Sequence, residues 1–396
     1  TATLNGDYSV DYEGKGAATT VAGGNGSGSA GNQLNFYVWY FAGVATDASG
    51  NVYVSDKGNH RIQKWTPGAT VGTTVAGGNG SGSGSNQFTY PNGMAVDASG
   101  NLYIADAGND RVQKWAPGAT EGVTVAGGNG RGGNANQLNI PAGVALDALG
   151  NVYIGDRENH RVQKWAPGAT EGTTVAGGNG SGSNANQLTW PYGIALDASG
   201  NIYVVDEYSM RIQKWAPGAT EGITVAGGNG NGSNSNQFNY AAGLAVDATG
   251  NIYVTEREGD RVQKWSPGAT EGVTVAGGNG EGNNSNQLFY PLGVALDALG
   301  NLYVADARNY RIQKVTNEPQ IIIAAGETSG TLTVSSIKDA SDEVEETITL
   351  TPSATGATLA SSAAITLKIK NNLPNYIPSE GLISWYPFNG NANDES

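Results

Sequence analysis

Carboxylates are the residues of this sequence that could do chemistry, and they recur at a fixed spacing. One set opens a tight Asp-Ala-x-Gly-Asn turn and comprises Asp47, Asp97, Asp147, Asp197, Asp247 and Asp297. A second set precedes an arginine by five residues and comprises Asp56, Asp106, Asp156, Asp206, Glu256 and Asp306. Acid–base catalysis needs a few groups with unequal pKa values, whereas each set consists of equivalent copies. The spacing therefore predicts structural acids, which accept backbone hydrogen bonds in turns or form ion pairs, and no catalytic residue.

Other reactive side chains are scarce. The chain has no Cys and only two His, His60 and His160. This excludes a disulfide framework, a cysteine nucleophile, a thiolate metal site and a three-His metal site within one molecule. Together with the equivalent acids, it predicts that the chain is not an enzyme.

The charge balance bears on partners. The 396 residues carry a formal net charge of −14 with a pI near 4.5, which supplies no basic footprint for a nucleic acid. No apolar run approaches the 18 residues or so that a membrane-spanning helix needs. We expect neither a nucleic-acid partner nor a membrane span, and we expect the chain to be a piece of a longer polypeptide.

Both sets of acidic residues belong to an internal sequence repeat, which must position them. The string Val-Ala-Gly-Gly-Asn-Gly begins at Val21, Val75, Val125, Val175, Val225 and Val275. Each repeat holds four short apolar runs separated by turn residues, which indicates four antiparallel strands. Six such units predict an all-β fold, a six-bladed β-propeller. The sixth unit lacks a last strand, so we expect residues 19–24 to complete it and close the ring.

Several segments resemble a known repeat. Gly43-Val44-Ala45, Asn51 to Asp56 and Asn59 to Trp65 look like NHL repeats, and the resemblance covers about residues 19–315. Proteins with this repeat include protein-binding and ligand-binding propellers, lyases and lactone hydrolases, so the resemblance implies the fold and leaves the activity open. Trp65 and its counterparts in four later copies are expected in the core between blades.

Variation between the copies is confined to two places, the turn between the second and third strands and the entry to the first strand. Because strand direction alternates, both lie on one face of the propeller, while the nearly constant turns lie on the other. Exposed Tyr and Trp are favoured anchors for partners. The predicted ligand-binding residues are Phe36, Tyr37, Trp39, Tyr40, Tyr90, Trp190, Tyr192, Tyr208, Tyr240, Tyr290 and Tyr310. The alternative is drift in solvated loops.

The flanks resemble other modules. Residues 316–373 look like the later strands of a Calx-β module, and residues 1–14 look like its middle. We therefore expect the propeller, residues 15–315, to be inserted into a loop of one Calx-β sandwich. The alternative is an independent small β-domain after the propeller, with residues 1–14 as a linker. Residues 374–396 are read as a linker and the truncated start of a concanavalin-like or laminin G-like lectin domain.

The Calx-β resemblance also implies a metal. Modules of this kind commonly bind Ca²⁺ through clustered carboxylates, and Asp7, Asp339, Glu343 and Glu346 stand where such ligands occur. Lys338 departs from the pattern, since a lysine opposes a divalent cation. The alternative is a solvated acidic loop. No other cofactor is expected.

These observations converge on a functional hypothesis. We expect a non-enzymatic adhesion module of a large secreted or cell-surface protein that binds an extracellular protein or glycan on its aromatic-rich face. The alternatives are a propeller lyase or lactonase with a metal in the central channel, and a rigid spacer. The oligomeric state stays open.

Overall fold

A computed structural model describes residues 8–9, 18–36, 42–316, 330–336, 346–350, 365–369 and 381–385. The chain divides into two compact units. One is Lys15–Asn317, and the other consists of Thr1–Gly14 with Glu318–Ser396.

The larger unit contains six four-stranded antiparallel sheets, the blades of a propeller. The first strands are Val44–Thr46, Pro91–Val96, Pro141–Leu146, Pro191–Leu196, Ala241–Val246 and Pro291–Leu296. The second strands are Val52–Asp56, Leu102–Asp106, Val152–Asp156, Ile202–Asp206, Ile252–Glu256 and Leu302–Asp306. The third strands are Arg61–Trp65, Arg111–Trp115, Arg161–Trp165, Arg211–Trp215, Arg261–Trp265 and Arg311–Val315. The fourth strands are Thr73–Gly77, Val123–Gly127, Thr173–Gly177, Ile223–Gly227, Val273–Gly277 and Thr19–Gly23.

The ring is closed by strand pairing between its two ends. Thr19–Gly23 pairs antiparallel with Arg311–Val315, so the last blade takes its fourth strand from the start of the unit. The first strands contact one another from each blade to the next, including the last blade and the first. All six blades therefore surround one axis, with the first strands innermost and the fourth outermost.

Close approach of the innermost strands sets the width of the centre. A Cβ atom at Gly143 would overlap the carbonyl oxygen of Tyr192 in the next blade, and one at Gly243 would overlap that of Leu292. Only glycine permits this backbone spacing. The second strands, which have a neighbour on both edges, are buried at every position, for example throughout Val52–Asp56.

Hydrophobic packing between blades forms the core. Trp115 is 2% exposed and packs with Tyr53 and Ile62 of the preceding blade. The other four tryptophans at this strand position are 1–2% exposed, and Val315 replaces them in the sixth blade. The prediction of an inter-blade core for these residues is confirmed.

Helical structure in the described residues is limited to single 3₁₀ turns between second and third strands, and none could cross a membrane. These turns are Lys57–Asn59, Ala107–Asn109, Arg157–Asn159 and Ala307–Asn309. The sequence did not predict them.

The smaller unit contains short strands. Tyr8–Ser9 pairs with Gly330–Ser336, which also pairs with Gly381–Trp385, and Glu346–Leu350 pairs with Ile365–Ile369. Its assignment to Calx-β and lectin-like modules stays a prediction. Of the predicted calcium ligands, Glu346 begins a strand. The other three, Asp7, Asp339 and Glu343, lie outside the described residues.

Candidate functional site on the variable face

The two variable segments of neighbouring blades meet at one end of the propeller, which we call the variable face. The Ile140 backbone N–H donates to the Asp110 carboxylate at 2.9 Å, and the Tyr290 N–H donates to Asp260 at 2.8 Å. The Trp190 N–H donates to Nδ1 of His160 over a longer 3.4 Å. In these blades the turn is therefore tied to the strand entry of the next blade.

Backbone strain is concentrated on this face. Eleven described residues other than glycine have positive φ, and all belong to these two variable segments: His60, Tyr90, Asp110, Ile140, His160, Trp190, Met210, Tyr240, Asp260, Tyr290 and Tyr310. A left-handed conformation costs a side-chain-bearing residue about 1–2 kcal/mol, and strain of this kind gathers at functional sites. On the opposite face, glycines such as Gly100 take the positive φ. The variable face thus has residues with side chains at positions where glycine would adopt the same φ at a lower conformational free energy.

Several predicted anchors are accessible. Tyr208 is 68% exposed and Tyr90 is 41% exposed. Tyr208 packs edge-on against Trp190, with ring centroids 5.7 Å apart. Tyr240 and Tyr310 are half-buried on the same face. The exposed aromatic surface is therefore centred on the fourth blade.

Other predicted anchors are not surface residues. Phe36 is fully buried in the central hydrophobic cluster, and Tyr192 is 2% exposed because it follows the first residue of an innermost strand. Tyr290 is 8% exposed because Arg308 covers its ring. The expectation that these three are exposed anchors is wrong. Tyr37, Trp39 and Tyr40 lie outside the described residues.

A charged cluster at the centre of the variable face was missed from the sequence. Arg157, Glu207 and Arg257 each follow the last residue of a second strand, in three successive blades. Nη1 of Arg257 lies 2.9 Å from Oε1 of Glu207, and Nη2 of Arg157 lies 3.8 Å from its Oε2. Side chains of three consecutive blades can meet in this way only near the propeller axis.

Aromatic rings support these arginines. The guanidinium of Arg157 lies 4.6 Å from the centroid of Trp190, and that of Arg257 lies 4.7 Å from Tyr240. Burial raises the pKa of Glu207, although both arginines lower it. Nε of each arginine and Oε2 of Glu207 are buried without a hydrogen-bond partner. A buried polar atom without a hydrogen-bond partner is energetically costly. Such atoms are common at sites that bind ligands.

A lysine occupies the equivalent position of the first blade. Lys57 is 1% exposed, and its Nζ donates to Oδ1 of Asn92. Burial lowers the pKa of Lys57 well below its usual value, and the charge of Arg157 lowers it further. In the part of the chain with described side chains, no three His, Cys, Asp or Glu residues are grouped to hold a metal ion. The two arginines around Glu207 suit an anion better than a divalent cation.

Buried ion pairs support the variable face from below. Oδ2 of Asp106 accepts from Nε of Arg111 at 2.8 Å and from Nδ2 of Asn109 at 2.8 Å. Its Oδ1 accepts from the Thr89 backbone N–H at 2.7 Å. Burial raises the pKa of Asp106, and these hydrogen bonds lower it. All six blades have the Asp–Arg or Glu–Arg pair at 2.6–2.8 Å, which confirms the predicted ion pairing.

The repeat family matches residues 42–65, 88–115, 138–165, 188–215, 238–265 and 290–315. The blades are NHL repeats. This matches the resemblance drawn from the sequence, and each matched segment spans at least the first three strands of one NHL blade.

Solved structures share the propeller fold at low sequence identity. A protein of unknown function from Bacteroides thetaiotaomicron is 20% identical over 75% of this chain and 74% of its own, with a TM-score of 0.57. An auxiliary nutrient binding protein from the same organism is 14% identical, covers 75% of each chain and has a TM-score of 0.55. A gluconolactonase from Xanthomonas campestris is 14% identical over 79% of this chain and 98% of its own, with a TM-score of 0.52. No curated protein matches the sequence.

These structures correct one prediction. The expectation that the chain is not an enzyme is wrong as an inference from equivalent acids and few His and Cys, because a gluconolactonase shares this fold. Equivalent blades can evidently carry unequal residues, as the Arg157, Glu207 and Arg257 cluster shows in this chain.

Proposed function

We propose that the variable face of this NHL propeller binds a protein or a glycan outside the cell. The observation that carries the proposal is the placement of the eleven strained side-chain-bearing residues, all on this face. Strain persists where the surrounding structure maintains it, and it is found at ligand sites because the side chains are used there.

The chemistry of the face supports binding. Tyr208 presents an exposed ring, and Trp190 connects it to the guanidinium of Arg157. Aromatic and arginine side chains dominate the binding energy of interfaces because they supply large, rigid contact area together with hydrogen bonds. The constant face lacks this combination, since its turns repeat the same Asp, Gly and Asn residues in every blade.

Adhesion is the form of binding that we propose for the parent protein. The flanking segments resemble Calx-β and lectin-like modules, which is typical of large surface proteins. Under this proposal the acidic residues Asp7, Asp339, Glu343 and Glu346 bind Ca²⁺ in the smaller unit. Calcium would then stabilise that unit without being required by the propeller face.

A glycan and extracellular-protein array tests the proposal. The chain is applied with Ca²⁺ and with a chelator, beside a variant carrying Trp190→Ala and Tyr208→Ala. We expect specific retention by the wild-type chain, lost in the variant while its melting temperature stays close to that of the wild type. Retention that is equal in the variant, or no specific retention in either condition, would contradict the proposal. A melting temperature unchanged by Ca²⁺ would contradict the calcium part alone.

A further inference from the structure

A groove opens where the sixth blade meets its N-terminal fourth strand. It has a volume of about 410 Å³ and is lined by Thr20, Asn283, Arg308, Tyr310 and Arg311, with the backbone of two glycines. Small-molecule sites span about 300–1,000 Å³, so the groove has the size of a site for a small ligand or a sugar residue. Arg308 and Tyr310 place it on the variable face.

Arg308 is the cation of the groove that stays available. Its guanidinium lies 4.7 Å from the ring centroid of Tyr290 and 4.9 Å from that of Phe289, which holds the side chain in place. No carboxylate of the described residues is within ion-pair distance of it. Arg311 is already engaged, since its Nε donates to Asp306 at 2.7 Å.

The rest of the lining is polar. Thr20 contributes a hydroxyl that hydrogen-bonds Gln313 at 3.2 Å, and Asn283 contributes an exposed amide. Such a surface suits the hydroxyls of a sugar better than the apolar side chains with which a peptide anchors itself.

The second blade is a natural comparison within the same chain. Its turn reads Ala107-Gly108-Asn109-Asp110, where the sixth blade reads Ala307-Arg308-Asn309-Tyr310. Both turns are 3₁₀ with a left-handed residue at the end. The two differences therefore add a cation and an aromatic ring to an otherwise unchanged turn, and only in the sixth blade do they occur together.

We infer that this groove binds an acidic sugar residue. The inference rests on the proposed function and adds to the same face, at the sixth blade, a separate subsite for one class of glycan. Arg308 forms a two-point hydrogen-bonded ion pair with the sugar carboxylate, for which a guanidinium is shaped. The ring of Tyr310 packs against the pyranose, and Thr20 and Asn283 hydrogen-bond its hydroxyls.

Titration calorimetry of the intact chain tests the inference. The probes are oligosaccharides ending in glucuronic acid or sialic acid, compared with the same oligosaccharides ending in galactose. We expect binding of an acidic probe, at least about tenfold weaker after Arg308→Ala and partly restored in Arg308→Lys, because a hydrogen-bonded contact between two charged groups is lost and then regained in part. Arg131→Ala is the matched control, since Arg131 is a half-exposed arginine of the same face that is paired with Asp110 at 3.0 Å.

Several results would overturn the inference. These are equal binding of the galactose-ended probes, unchanged affinity in Arg308→Ala, or an equal loss in Arg131→Ala. If the array still finds a neutral glycan or a protein that needs Trp190 and Tyr208, the proposed function stands while this inference fails. If no probe and no array ligand is retained, both fail.

Discussion

The two faces of the propeller use the same backbone but differ in how their turns are held. On the constant face, Oδ1 of Asp97 accepts from the backbone N–H groups of Ser99 and Asn101, both at 2.9 Å, and Gly100 takes a φ of 80°. The residues of this turn therefore satisfy one another's hydrogen-bonding groups. On the variable face, Asp106 holds the turn from below through Asn109 and the strand entry at Thr89.

This difference explains which residues are free to vary. A turn stabilised by its own side chains has little freedom to vary, so its sequence repeats in every blade at all but one position. A turn stabilised by a buried carboxylate beneath it leaves its upper positions, such as Gly108 and Asp110, open to other side chains. The variable face can therefore acquire a ligand-binding chemistry without redesign of the fold.

The largest expected effect comes from removing the buried support of the variable face. We expect Asp106→Ala to lower the free energy of unfolding by about 3–5 kcal/mol, because Arg111 is left as an uncompensated buried charge. Asp97→Ala on the constant face should cost only about 1–3 kcal/mol, as its partners are nearer to water. Urea unfolding of both variants measures the difference, and equal losses would contradict the contrast between the faces.

Positive φ gives a second, smaller contrast. Gly100→Ala should destabilise the chain by about 1–2 kcal/mol, since alanine is strained at a φ of 80°. Ile140→Gly should cost less than this or even stabilise, because glycine relieves the strain of a β-branched residue at a φ of 53°. Thermal melts of the two variants compare them, and a larger loss for Ile140→Gly would mean that packing outweighs strain at that position.

The exposed anchors should matter little for stability. Tyr208→Ala removes a side chain that is 68% exposed, so we expect a change within about 0.5 kcal/mol. Leu149→Ala, at a residue 80% exposed on the constant face, is the control with the same small effect. Only the first substitution should weaken ligand retention. Weaker retention in the Leu149 variant would contradict our assignment of the binding surface to the variable face.

The smallest effect is a response to pH. Burial lowers the pKa of His60, although Asp56 raises it, and Nδ1 of His60 can accept from the Tyr90 N–H only when unprotonated. The imidazole of His60 therefore takes up a proton more readily in the unfolded chain, where its pKa is about 6.5. The free energy of unfolding should decline slightly as pH falls from about 7.5 through about 6.5. Unfolding midpoints across this range check the decline, and His60→Asn should flatten it. A decline unchanged in His60→Asn would assign it to other groups.

The constant face should respond only in stronger acid. Burial raises the pKa of Asp97, but the hydrogen bonds from Asn101 and Ser99 outweigh it and hold the pKa below its usual value. The stability that this carboxylate contributes is present above the unfolded pKa of about 3.9 and is lost as pH falls through the folded value. His60 and Asp97 thus titrate in separate pH ranges.

Much of the fold could be predicted from the sequence because the repeat fixes it locally. The six blades, the Asp56–Arg61 pairing and the burial of Trp115 all depend on spacing within one unit or between neighbours. The place of Thr19–Gly23 could be predicted because the sixth repeat lacks a fourth strand of its own.

The candidate site was harder to predict because it depends on distances between blades. The charged cluster joins Arg157, Glu207 and Arg257, which are fifty positions apart in the sequence. Considered one at a time, each is interpreted as a solvated charged residue of a turn. A comparison of the position after each second strand, which reads Lys57, Ala107, Arg157, Glu207, Arg257 and Ala307, would have revealed unequal groups. The burial of Tyr192 followed from its place on an innermost strand, which aromatic content alone does not show.

Amide hydrogen exchange of the chain, free and with a ligand retained on the array, tests the central claim most directly, because exchange reports protection at each turn. We predict added protection at the turns 157–160, 207–210 and 307–310 and at the strand entries near Trp190 and Tyr240. The turns that begin at Asp97 and Asp147 should exchange as before. Protection confined to those constant turns, with the variable turns unchanged, would contradict the account.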